Sequence, residues 1–223
     1  MIYKRKRYDN HIFGWGSHKL EHDGWLLKYS EILDSGGLTV VELGCGFGAD
    51  TAFLADTGNR IISCDISRLA LASVKRSHPE VETLGFDMRE AFPVEDGLAD
   101  IVTASLCLHF FFDSEMEHIL TEIKRIMKPE GLLLCRLNSR RDFIRGRQGE
   151  ILSESGMLKT REGLKRFFDR STIEQVFAAW DIISISENKV VKFSKNKVVW
   201  ELALRSVLFP EQTEQTSAQT PPA

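Results

Sequence analysis

The segment VVELGCGFGAD, Val40 to Asp50, puts a glycine at every second position, Gly44, Gly46 and Gly48, between an apolar run and a helix-compatible one. Glycine weakens strands and helices alike, so three within five residues need a reason. A chain that leaves a buried strand and bends at once into a helix needs one glycine for the bend, or two. The third favours a ligand lying against bare backbone. The segment therefore fixes a strand, a tight turn and a helix in that order.

The rest of the chain repeats that unit. Leu38–Leu43 reads as the first strand, and a helix begins over Asp50–Asp56. Arg60–Cys64 is a second strand that ends on Asp65, and Ser67 is the N-cap of a helix carrying Leu69, Leu71 and Val74 and closed by Pro79. Val81–Phe86 and Ala99–Ser105 are the third and fourth strands. Ser114-x-x-Glu117 forms a capping-box pattern for a helix with Met116, Ile119, Leu120, Ile123 and Ile126 on one face. Leu132–Leu137 is a fifth strand, and Ser171-x-x-Glu174 caps a helix through Trp180. Ile182–Ser186 and Val198–Leu204 are two last strands with a lysine-rich connection between them.

Strands alternating with helices give an α/β fold, a mostly parallel sheet with helices on both faces. The final two strands have no helix between them and are expected to form an antiparallel hairpin. The chain divides into residues 1–36, an N-terminal helical or lid segment, residues 37–209, the main domain, and residues 210–223, a polar tail expected to be disordered. Within the first segment, Trp25, Leu26, Tyr29, Ile32 and Leu33 stand at helical spacing.

Composition narrows the class. At 43% hydrophobic and 27% charged residues the chain reads as globular, and a net charge of −3 argues against a dedicated nucleic-acid binder. The four cysteines form no C-x-x-C pair, so zinc and thioredoxin-type chemistry lack spacing support, and no metal site is expected. Three of them lie within or at the ends of apolar runs (IISC, SLC, LLLC) and act as small hydrophobes, which suits a reducing, cytoplasmic compartment. No apolar region follows MIYKRKRYDN, and no run reaches the length of a membrane span. The histidines at 11, 18 and 22 lie among aromatics without metal-ligand spacing, and a lid over the active site is the better reading of them.

Ligands in such sheets sit beyond the carboxyl ends of the strands, where the strand order reverses. After the first strand come the glycines. After the second comes Asp65, 23 residues beyond Glu42, where a carboxylate can accept both hydroxyls of a ribose. After the third comes Asp87-Met88, a carboxylate and a backbone N–H suited to an adenine edge. After the fourth come Ser105 and His109, then Phe110, Phe111 and Phe112. His109 stands where a substrate would meet a cofactor and is a catalytic candidate.

Two nucleotide readings compete. The dinucleotide fingerprint is G-x-G-x-x-G, but here Ala49 stands where the third glycine belongs. Asp50, near the helix start, would repel a pyrophosphate. A nucleoside with ribose, adenine, a sulfonium and an amino group, and no phosphate, fits the acids better.

At these residues the sequence resembles the class I S-adenosylmethionine-dependent methyltransferases, from about Thr39 to Ser139. VVELGCGFG is similar to the family's first motif, an acid followed by G-x-G-x-G, and IISCDIS to its second. GFDMREAFPVEDGLADIVTASLCLHFF resembles the adenine and strand-four region, and RIMKPEGLLLCRLNS the strand-five motif. The resemblance implies a Rossmann-like seven-stranded sheet whose last strand is inserted antiparallel. It implies that S-adenosylmethionine is the methyl donor and S-adenosylhomocysteine the product. Gly44, Cys45, Gly46 and Gly48 would line the cofactor, with Glu42 near its amino group. Asp65 would hold the ribose, Ile66 would lie against the adenine, Asp87 and Met88 would read the adenine edge, and Ser105 would lie near the methionine moiety. LCLHFF, RLNS and KRFFD (Lys165–Asp169) look similar to small-molecule members of the tellurite-resistance type.

The implied reaction is methyl transfer to a small-molecule acceptor by in-line displacement. RLNSRRDFIRGRQG carries five arginines (136, 140, 141, 145, 147) against one acid, Asp142. Arginine forks suit carboxylates and oxyanions; most of these arginines read as a solvated loop, and one or two, Arg136 first, are candidates to contact an anionic acceptor. A nucleic-acid or protein acceptor, a nicotinamide dehydrogenase and a non-catalytic cofactor-binding module are the rival readings.

Overall fold

The computed structural model describes residues 22–144, 150–151, 157–160, 163–192 and 195–206. Its strands are β1 (Thr39–Leu43), β2 (Arg60–Asp65), β3 (Glu82–Gly85), β4 (Ala99–Ser105), β5 (Met127–Asn138), β6 (Glu150–Ile151), β7 (Met157–Thr160), β8 (Gly163–Arg166), β9 (Trp180–Lys192) and β10 (Lys195–Ser206). Its helices are α1 (Ser30–Leu33), α2 (Ala49–Ala55), α3 (Arg68–Ser77), α4 (Asp113–Ile126), α5 (Arg140–Ile144) and α6 (Arg170–Val176).

Seven strands form one sheet in the order β3-β2-β1-β4-β5-β10-β9. β1 pairs in parallel with both β2 and β4, β2 with β3, and β4 with β5. β10 runs antiparallel between β5 and β9, as the hairpin reading requires. The chain leaves β1 for β2 on one side and returns to β4 on the other. The strand order therefore reverses between β1 and β4, and the ligand crevice belongs there.

Alternate residues of the central strands feed two cores. Val41, Leu43, Ile62, Cys64, Val102, Ala104, Leu133 and Cys135 pack with α4 and with Ile173 and Phe177 at α6. Val40, Ile61, Ile101 and Leu134 pack on the other face with Leu54 of α2 and Leu71 and Val74 of α3. Burial on both faces explains why these strands read as continuous apolar runs. Trp25, Leu26 and Leu33 join the second core and are fully or nearly buried. The described part of the N-terminal segment is thus core packing, built from a 3-10 turn over Leu27–Tyr29 followed by the single turn of α1. Ile32 points outward instead of joining that face. The stretches 1–21 and 210–223 lie outside the described residues.

Several boundaries differ from expectation. α4 begins two residues early, and Glu115, not Glu117, reaches back to accept from the Phe112 N–H at 2.9 Å. Asp169 rather than Ser171 caps α6, accepting from the Thr172 N–H at 2.9 Å, and that helix stops at Val176 while Trp180 opens β9. The described residues of the lysine-rich connection are strand, β9 running to Lys192 and β10 beginning at Lys195, with β9 at the edge of the sheet. The three-stranded sheet β6-β7-β8 was not expected from the sequence, since strands of two to four residues leave no periodic signal. Among the described residues, no helix is long and apolar enough to cross a membrane.

Candidate functional site

One cavity opens at the carboxyl ends of β1, β2 and β4, at the point of strand reversal. Gly44, Cys45, Gly46 and Phe47 form its floor, and Asp65, Ile66, Asp87, Met88 and Ser105 line its walls. Gly44 sits at φ +68°, and a Cβ there would lie 2.5 Å from the Cβ of Cys107. Gly46 also has positive φ, but nothing stands within 4 Å of where its Cβ would be. Gly44 is therefore required by packing, whereas Gly46 faces open cavity. Cys45 ties the loop down. Its N–H donates to the Cys64 carbonyl at 3.0 Å, and its own carbonyl accepts from the Gly48 N–H at 3.1 Å. Gly48 is the residue before α2 and does not line the cavity.

Asp65 is held by the loop it faces. One carboxylate oxygen accepts from the Gly46 N–H at 2.9 Å and the other from the Ser67 N–H at 2.8 Å. Ser67 in turn caps α3, its hydroxyl accepting from the Ala70 N–H. The carboxylate is thus fixed in place at the cavity wall.

Glu42 lies beneath the glycines and is almost fully buried. Its carboxylate accepts from the hydroxyls of Thr51 at 2.5 Å and Ser63 at 2.7 Å. Burial, reinforced by the nearby Asp50 charge, pushes its pKa up from 4.5 to about 7. A raised acid pKa means the folded state holds a proton that the unfolded chain has already lost. Glu42 therefore favours folding most fully below about pH 4.5, and that contribution fades as pH rises to about 7. Glu42→Gln is expected to remove this slope, making the variant more stable than wild type at pH 8 by on the order of 2 kcal/mol, with little difference at pH 4.5. Urea unfolding of both proteins at the two pH values checks it. An equal pH slope in the variant would refute it.

Asp87 is clamped by Arg89. The guanidinium Nε donates to one carboxylate oxygen at 2.8 Å, while Nη2 donates to the other and the Arg89 N–H adds a third contact. An adenine amine would share this carboxylate with Arg89, a partner that sequence reading did not identify. Ile66 and Met88 flank the same end of the cavity.

Ser105 lines the cavity, and Arg136 stands behind it. The two residues are register partners in β4 and β5. The Arg136 side chain is fully buried, and it does not line the cavity. Its Nε and Nη2 donate to the Ser105 hydroxyl at 3.0 and 2.9 Å, and its Nη1 donates to both Asp23 oxygens at 2.9 and 2.7 Å. The guanidinium also stacks on Trp25, 4.7 Å from the ring centroid. The expected contact between Arg136 and an acceptor is thus replaced by an internal clamp that ties the N-terminal segment to the sheet. Arg140 pairs with Asp169 and Arg141 with Glu187, both outside the cavity. Arg145 and Arg147 lie outside the described residues.

The far wall contains residues that the sequence did not single out. Leu106 adopts φ +55°, a conformation that a branched side chain enters only under constraint. Its N–H donates to the Arg136 carbonyl at 3.0 Å, and the next residue, Cys107, donates its thiol to the Leu43 carbonyl. This bend aims the 3-10 turn Leu108–Phe110 across the cavity mouth. His109 reaches the wall from that turn and is buried, with its ring 4.1 Å from that of Phe110. Phe110, Phe111, Lys165 and Lys197 complete the wall. A positive φ at a leucine and a lysine in a polar strand carry no motif, so sequence alone offered no handle on them. Asp50 lines the opposite side, accepting from the Trp25 indole N–H at 3.0 Å, with His22 3.9 Å away.

Residues 41–135 match the model of the family described as methyltransferase domain. An uncharacterized methyltransferase of Synechocystis is 32% identical over 106 residues, which is 48% of this chain and 50% of that protein. The tRNA N(3)-cytidine methyltransferase METTL2 of Mus musculus is 24% identical over 209 residues, 80% of this chain and 54% of that protein. The chain thus spans about half the length of these curated relatives. A solved structure of a SAM-dependent methyltransferase from Methanosarcina mazei superposes with a TM-score of 0.67 at 15% identity, covering 78% of this chain and 94% of the other.

Proposed function

We propose that this chain is a class I S-adenosylmethionine-dependent methyltransferase, a reading supported by the methyltransferase-domain match at residues 41–135, and that it transfers a methyl group from that cofactor to a small-molecule acceptor. The observation that carries this reading is the cavity itself. Its acids and glycines stand on or just after β1, β2 and β3, whereas Phe110, Phe111, His109 and two lysines come from beyond β4.

The residues present fit the cofactor. Gly46 leaves bare backbone beside open space, Asp65 offers two fixed oxygens to a ribose, and Ile66 and Met88 offer apolar faces to an adenine. When bound, S-adenosylmethionine supplies a methyl group on a positively charged sulfur. The protein's part is to hold an acceptor atom in line with that carbon, and positioning of this kind can lower a barrier by roughly 7–11 kcal/mol. Phe110 and Phe111 keep water from that region. Ser105, held by Arg136, fixes the wall nearest the methionine end. His109 is the group placed to take a proton from an acceptor that needs to lose one.

An RNA acceptor is the second reading, favoured by the match to the tRNA methyltransferase over 80% of this chain. The near-complete burial of Lys165 and Lys197 supports a small acceptor instead, because backbone phosphates are met by exposed cations.

Calorimetric titration with S-adenosylmethionine, S-adenosylhomocysteine and NAD tests the cofactor, and methyl transfer from labelled S-adenosylmethionine to a metabolite extract tests the activity. The expected result is micromolar binding of both sulfur nucleosides, none of NAD, and label in low-mass products. Label in RNA alone would move the assignment to the second reading. Cofactor binding without label anywhere would leave a non-catalytic binding module.

A further inference from the structure

We infer that the acceptor carries a carboxylate and that Lys165 and Lys197 receive it, an inference that rests on the methyltransferase reading of the same cavity. Lys165 belongs to β8 and is 2% exposed, and Lys197 belongs to β10 and is 6% exposed. Both line the cavity. Lysine carries a strongly hydrated cationic group, and burying it is unfavourable unless an anion comes close. Both lysines also engage other groups of the chain, so an incoming carboxylate joins a network that already exists.

Topology separates these cations from the cofactor's acids. Glu42, Asp65 and Asp87 stand on or just after β1, β2 and β3, whereas β10 lies three strands beyond β1 in the order β1-β4-β5-β10. At the usual strand spacing that is roughly 14 Å. The acids serve the nucleoside, and the lysines serve whatever lies past the methyl carbon.

The two lysines are also held together. Ser139 bridges Phe168, and its N–H donates to the Val198 carbonyl at 3.1 Å. The segments that carry Lys165 and Lys197 are therefore tied to one residue at the end of β5. Arg166 pairs with Asp113 at 2.6 Å, and successive strand residues point to opposite faces, so this pair helps turn Lys165 inward. β8 packs against the 3-10 turn that carries His109 and Phe110, and the Lys165 Nζ stands 6.0 Å from the Phe110 ring centroid. An aromatic face beside buried ammonium groups suits an apolar body bearing a carboxylate.

The test uses the full chain saturated with S-adenosylhomocysteine, titrated by calorimetry with matched pairs: 4-hydroxybenzoate against 4-hydroxybenzamide, and indole-3-acetate against indole-3-acetamide. The acids are expected to bind about tenfold more tightly than the amides. Lys165→Met and Lys197→Met should erase most of that preference and leave S-adenosylhomocysteine binding unchanged, while Lys165→Arg should retain part of it. Equal binding of acid and amide, a preference that survives both methionine variants, or no carboxylate binding at all would overturn the inference. So would inorganic phosphate competing as strongly as the carboxylates, or a tRNA transcript whose salt-sensitive binding the same variants weaken. Failure of S-adenosylhomocysteine to bind the wild type would instead remove the methyltransferase reading beneath it.

Discussion

Asp65→Ala is expected to leave a folded protein whose dissociation constant for S-adenosylhomocysteine has risen by about 100-fold or more. The carboxylate is anchored by the Gly46 and Ser67 N–H groups at 2.9 and 2.8 Å, so it meets a ligand already in place. Two ribose hydroxyls donating to a charged acceptor contribute roughly 1.5–3 kcal/mol each. Every 1.4 kcal/mol is a factor of about ten in affinity, so losing both bonds reaches or exceeds 100-fold. Asp65→Asn keeps one acceptor oxygen and should fall between wild type and alanine. The same substitution releases the glycine loop from its only described side-chain anchor, which should cost about 1 kcal/mol of stability, well short of unfolding. Calorimetry together with a thermal melt separates the two effects. An alanine variant that binds as tightly as wild type would remove Asp65 from the site.

That Asp65 was legible at all follows from where it stands. The parallel strands β1, β2 and β4 are buried on both faces and short, so they read as apolar runs with abrupt ends, and each end marks a ligand-facing position. Asp65, Asp87 and Ser105 were found by that rule and Glu42 by the family resemblance, and all four line the cavity. Gly48 did not follow the rule, because it serves the helix start rather than the wall.

What the sequence hid are contacts between distant residues and conformations without a composition cue. Arg136 reads as one of five arginines after a strand, yet its neighbours in space are Ser105 and Asp23, the latter 113 positions away. It is the tenth of the twelve residues of β5, flanked by β4 and β10, and so is inside the sheet rather than in the loop beyond it. Breaking such a buried pair from one side destabilises by about 3–5 kcal/mol, which points to a structural use of this arginine. Lys197 lies in a strand of mixed polarity, where its register against Val190 decides which way it points, and register is a tertiary fact. The helix starts were misplaced for a local reason. Asp169 and Ser171 are both good caps two residues apart, and only backbone geometry chooses between them.

Gly44→Ala and Gly46→Ala should fail in opposite ways, and the contrast distinguishes the turn from the ligand. At Gly44 the added methyl would stand 2.5 Å from the Cys107 Cβ, with φ at +68°. A left-handed conformation at a non-glycine residue costs roughly 1–2 kcal/mol, and forcing a methyl into a packed site adds about 1–3. The sum, roughly 2–5 kcal/mol, lowers Tm by about 5–15 °C in a chain of this size. Truncating Cys107 to alanine should not rescue it, because the Cβ itself is in the way. At Gly46 the backbone penalty is of the same kind, but the methyl meets nothing within 4 Å. The Tm should therefore fall by only a few degrees, while S-adenosylhomocysteine affinity falls about tenfold or more, because the space the methyl takes is the space assigned to the cofactor. Differential scanning calorimetry and ligand titration on both variants give the comparison. If Gly46→Ala binds as wild type does, the open space beside it is not the cofactor's, and that glycine serves the turn alone.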